Sequence, residues 1–198
     1  MPHNFQAMTL FRWITLCIIL SGVVIFIGGL WHPVDARSRE LVTAAKEFKV
    51  DLLAAISEAH RIDVVEHSWY YEFLDEKGEL VENPPYVEYK RTELTPDQRT
   101  HFQAAFRRMP ENPKTIFSLC IFEPHHTIEL LGKDGSKSVI QVCFKCGDTE
   151  WDGRSVIPPE GFQDIFRSFI TPLGFQANRE WKEIAKDKVQ QAAPLNEP

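Results

Sequence analysis

Cys120, His125, His126, Cys143 and Cys146 fall close together in the second half of this chain. Thiolates and imidazoles are the ligands that zinc prefers, four at a time in tetrahedral sites, and cysteines two residues apart often supply a pair of them. Cys143-Phe144-Lys145-Cys146 has that spacing, and Gly147 permits the tight backbone turn such a pair needs. With Cys120 and one histidine the set reaches three sulfurs and one nitrogen. A site filled by protein ligands in this way is structural in type, not catalytic. The expected metal set is therefore Cys120, His126, Cys143 and Cys146, with a zinc ion as cofactor and His125 as the alternative to His126.

Two other chemistries compete for the same residues. Cys143 and Cys146 form a C-x-x-C pair, the arrangement used in thiol–disulfide exchange. No βαβ pattern surrounds them, which argues against a thioredoxin-like enzyme. Cysteine is also among the most buried residue types, so core packing accounts for Cys120 and Cys143 without chemistry. His60, His67 and His101 read as surface or satisfied core histidines. There is no G-x-S-x-G, no phosphate-cradling glycine loop and no H-E-x-x-H. Glu66, Glu72, Asp75 and Glu76 read as a solvated strand edge and turn. No catalytic residue is expected, and the alternatives to a zinc-clamped, non-enzymatic domain are a redox protein working through Cys143 and Cys146 or a metal-free partner-binding module.

The elements that must position these residues can be read from periodicity. A helix is expected from Ser38 to about Ala59, since Leu41, Ala45, Phe48, Leu52 and Ile56 recur at helical spacing. "IDVVEHSWYYEFL" reads as a strand, "DEKG" as a turn, and "PPYVEYKRTEL" as an edge strand, because its prolines cannot donate to a ladder. Thr95-Pro96-Asp97-Gln98 carries the signature of a helix start, with Thr95 as cap, Pro96 first in the helix and Gln98 closing a capping box. "TIFSLCIF", "HTIELLG", "KSVIQVCF" and "TEW" follow with short gaps, as in an antiparallel meander. A third helix is expected over about 159–171. The fold class is α+β, an antiparallel meander sheet covered by about three helices.

In that meander Cys120 lies near the end of one strand, His125 and His126 start the next, and Cys143 and Cys146 close the third. Connectivity alone gathers them at one sheet end. Side chains alternate along a strand, and that parity favours His125 over His126 as the partner of Cys143.

The N-terminus carries a separate signal. Trp13 to Trp31 is an uncharged apolar run bracketed by tryptophans, long enough to span the hydrocarbon core of a bilayer. The rival is a cleaved signal peptide, with Arg12 as its charged region and Val34-Asp35-Ala36 near the cleavage point. The division expected is a tail over 1–12, an anchor over 13–31 in contact with lipid, a linker over 32–37, a globular domain over 38–182 and a disordered tail over 183–198. Arg37, Arg39, Lys46 and Lys49 after the span favour a domain kept inside, whereas a short tail ending in Arg12 favours export. The expectation adopted is a single-pass protein with an extracytoplasmic domain. A formal net charge of −6 and the absence of a long basic block exclude nucleic acid as a natural partner.

The chain resembles a group of uncharacterised bacterial proteins, secreted or membrane-attached, that share a cysteine, a proline-x-histidine, a β-hairpin and then C-[FY]-x-C. The matching residues are Cys120, Pro124-His125-His126 and Cys143-Phe144-Lys145-Cys146, and the likeness runs from about Leu41 to Phe175, including "LTPDQ". An extra residue between Cys120 and Pro124 departs from the pattern. The resemblance implies His126 as the ligand, against the parity of the strand, and implies no activity.

Overall fold

A computed structural model of the chain describes residues 36–75, 77–114 and 120–192. The apolar run over 13–31 and the "TIFSL" part of the first expected meander strand lie outside them. Among the described residues, no helix is long and apolar enough to cross a membrane. The chain divides into two compact units, Met1–Val42 and Thr43–Pro198, and the second carries the site.

The fold is α+β, with six antiparallel strands and four helices among the described residues. Residues 36–58 are helical (α1). Ala45, Phe48, Leu52, Ile56 and Ala59 recur every three or four positions along it and are buried, so one face of this helix belongs to the core. Strand β1 covers Arg61–His67 and β2 covers Glu88–Glu93, with helix α2 at Pro96–Arg107 after them. Thr95 caps α2 as its sequence requires: its hydroxyl accepts the Gln98 N–H, and the Gln98 side chain accepts the Thr95 N–H. A cap of this kind is worth about 1 kcal/mol. Strands β3 (His126–Leu131), β4 (Lys137–Cys143), β5 (Asp148–Trp151) and β6 (Arg154–Val156) form a meander, and α3 (Phe162–Ile170) and α4 (Trp181–Ala192) close the domain.

The sheet order is β2-β1-β3-β4-β5-β6. Strand β2 is an edge, as the prolines before it suggest, and the three-residue β6 is the other. One face of the sheet carries Ile62, Val64, Ile128, Ile140 and Val142 into a core with α1, α2 and α3. Phe48 meets Phe162 edge-to-face with ring centroids 5.1 Å apart, and Phe102 meets Phe106 at 4.8 Å. Each buried phenyl ring contributes about 2 kcal/mol. The opposite face is charged: Asp63 on β1 and Glu129 on β3 are buried beneath Arg61, Arg91 and Lys137.

Three expectations change. Strand β1 ends at His67, where the ladder shifts register, and the chain turns back through a 3-10 turn at Tyr70–Glu72. The Glu72 carboxylate accepts the Trp69 N–H and so folds the segment onto itself. Residues 120–125 form no strand. Helix α4 reaches into the stretch expected to be a disordered tail, because Trp181 at its start is held by aromatic neighbours.

Candidate functional site

The expected metal residues separate into two groups at one end of the sheet. Cys143 ends β4 and Cys146 follows in the turn, both buried. The Cys146 N–H points at Cys143 Sγ at 3.3 Å, and the Gly147 N–H donates to the Cys143 carbonyl at 2.8 Å. Gly147 has φ +75°, a left-handed conformation that strains any residue with a Cβ. Burial, reinforced by the neighbouring Cys143 sulfur, pushes the Cys146 pKa up and keeps it a thiol. Cys120 is half-buried in the 120–125 segment. That segment is held to the cysteine turn by Glu123 and Lys145, 3.0 Å apart.

The histidines face elsewhere. His126 pairs with Val142 on one side and Glu66 on the other. Cross-strand partners share a face, so His126 lies on the core side while Cys143, one residue on from Val142, lies opposite. His126 Nε2 approaches Glu66 Oε1 at 3.6 Å and has no hydrogen-bond partner. His125 stacks on Trp181, ring centroids 4.2 Å apart and nearly parallel, and its Nδ1 lies 3.3 Å from the His67 carbonyl oxygen. Among the described residues, no group of three or more His, Cys, Asp or Glu side chains is arranged to hold a metal ion.

A different constellation is assembled beside these histidines. The 3-10 turn after β1, the 120–125 segment and the chain entering α4 enclose a cleft of about 440 Å³. Its lining includes Trp69, Glu72, His125, His126, Phe144 and Trp181. The Glu72 side chain is only 5% exposed, although the sequence suggested a solvated edge. Its Oε2 accepts the Trp69 N–H at 2.9 Å and the Tyr89 hydroxyl at 3.3 Å. No cation is among those partners, and burial pushes the Glu72 pKa up to about 7. The same carboxyl, together with burial, pushes the Tyr89 pKa up.

His125 has the opposite shift, down to about 3, again through burial. It is therefore a neutral ring at physiological pH. A carbonyl oxygen only accepts, so His125 Nδ1 carries the hydrogen and directs it at His67, which makes Nε2 the acceptor nitrogen of the ring. Glu72 Oε1 lies 3.1 Å from Nδ1 but receives no hydrogen bond from it. Glu66, also taken from sequence as solvated, is buried too. Burial opposes its ionisation, but the nearby His126 ring and the Arg179 guanidinium outweigh this and hold its pKa below the usual glutamate value. Arg179 Nη1 meets Glu66 Oε2 at 2.7 Å, tying the chain before α4 to β1.

Sequence reasoning missed Glu66, Glu72, Arg179 and Trp181. One signal was present: "HSWYYEFL" sets a carboxylate inside an aromatic run, an unusual place for a solvated group. No family model, curated protein or solved structure matches the chain.

Proposed function

We propose that the domain is a binding module that takes a small ligand into the cleft beneath Trp181. One observation carries this reading. Of the five buried side-chain atoms without a hydrogen-bond partner among the described residues, three belong to residues lining this cleft: Trp69 Nε1, Glu72 Oε1 and His126 Nε2. A buried polar group without a partner costs roughly 1–3 kcal/mol, and folds retain such groups where something else satisfies them. The mixed lining of rings and a few polar groups is that of small-molecule sites. A titration series followed by tryptophan fluorescence tests the reading, since Trp69 and Trp181 both line the cleft. Saturable changes that vanish in Trp181→Phe support it, and a flat response across chemically diverse ligands rejects it.

A second reading keeps the expected zinc clamp of Cys120, His126, Cys143 and Cys146. It is favoured by the Cys146 N–H directed at Cys143 sulfur, the kind of backbone contact made to a metal-ligating cysteine. It requires the His126 ring to leave Glu66. Metal analysis with thiol counting on reduced, freshly prepared protein decides it: one zinc per chain supports the clamp, and all four cysteines reactive without metal reject it. The segment over 13–31 is proposed as the anchor that brings this domain to a membrane, which fractionation of the full chain against a version lacking 1–35 would test.

A further inference from the structure

The chemistry of the cleft narrows the class of ligand it suits, and this step rests on the binding reading above. Glu72 is a deeply buried carboxyl whose partners are a backbone N–H and a phenol, with no cation among them. Two of the cationic side chains in the lining are engaged: Arg179 with Glu66 at 2.7 Å and Lys145 with Glu123 at 3.0 Å. Lys182 stands in the same wall as Glu180 and Glu183, and its charge only partly offsets the effect of burial on Glu72. Glu72 Oε1 and His126 Nε2 have no hydrogen-bond partner, and the His125 ring, with Nδ1 turned to the His67 carbonyl, keeps Nε2 as its acceptor nitrogen.

Around these acceptors stand aromatic rings. Trp181 stacks on His125 and faces Tyr89 at 6.1 Å, while Tyr71 and Phe144 complete the lining. Rings present negative charge on their faces and attract cations, more strongly once water is excluded. A lone buried carboxylate is costly, and a counterion removes that cost. An anion would meet the Glu72 carboxylate and find Arg179 and Lys145 already paired.

We propose that the cleft binds a small organic ammonium ion, its nitrogen donating to Glu72 and His125 and its apolar body lying against Trp181 and Tyr71. Trp69 Nε1, an unpartnered donor in the lining, suits a ligand that also carries an acceptor, such as an amino alcohol or an amino acid amide.

Three probes of one shape test the class on the full-length chain: benzylammonium, benzyl alcohol and benzoate, each titrated by calorimetry and tryptophan fluorescence at pH 8. The expected result is benzylammonium binding at least tenfold tighter than benzyl alcohol, with benzoate weakest. Glu72→Gln is expected to remove that tenfold preference. Benzyl alcohol or benzoate binding as tightly as benzylammonium overturns the ammonium class but leaves the binding reading intact. No binding by any of the three overturns both. The ranking on unaltered protein decides the matter even if Glu72→Gln folds poorly.

Discussion

Asp63 and Glu72 are both buried carboxylates, and their surroundings are opposite. Asp63 lies on the charged face of the sheet, hydrogen-bonded to Arg61 at 2.7 and 2.8 Å and to Arg91 at 2.8 Å. Arg91 also bonds Glu129 and Glu88, so one guanidinium serves three acids. Burial alone would raise the Asp63 pKa, but the two arginines outweigh it and lower the pKa instead. Glu72 has no such partner, and its pKa rises to about 7. A buried acid that is fully paired holds a fold together. One left without a counterion costs stability and is retained for what it can bind.

The largest expected break in this contrast is Arg91→Met. It leaves Asp63 and Glu129 short of a cation and should cost on the order of 3 kcal/mol in urea unfolding, with ligand binding in the cleft unchanged. Glu72→Gln should act in the opposite sense and depend on pH. The folded pKa of about 7 lies above the ordinary 4.5, so wild-type Glu72 withdraws stability as pH rises from 4.5 through 7. The variant should therefore gain up to about 3 kcal/mol over wild type at pH 8 and nothing at pH 4. His125, held at about 3, shapes the curve of both proteins alike, so the difference curve reports Glu72.

Smaller effects come from the walls. Trp181→Ala removes the stack on His125 and should lower stability by about 1–2 kcal/mol while raising the exchange rate of α4 amides. Lys145→Ala breaks an ion pair whose lysine is 71% exposed, and should change stability by less than about 1 kcal/mol. A loss as large as that of Arg91→Met at either position would erase the distinction between the two regions.

The sequence showed most clearly what local chemistry decides. The capped start of α2, the buried face of α1 and the edge position of β2 follow from Thr95, Gln98, the helical spacing of Phe48 and Leu52, and the prolines before β2. The cleft depends on partners far apart in the chain. Glu66 meets Arg179 across 113 residues, and no periodicity links them. Glu72 looked solvated because its burial comes from Trp69, Tyr89 and α4 together, not from its own strand. Strand β3 begins at His126 and β4 ends at Cys143, at one sheet end, but the register of β3 against β4 turns His126 away from Cys143. Alternation along the strand had pointed to that separation.

The edges of the sheet have a consequence beyond the site. Strand β2 carries Glu88, Lys90, Arg91 and Glu93, follows two prolines, and is crossed by the Lys90 ammonium reaching the Leu173 carbonyl at 2.6 Å. Strand β6 is three residues long. Neither offers another copy a flat, uncharged template for strand addition. The domain can therefore be crowded at high local density without its sheets polymerising edge to edge.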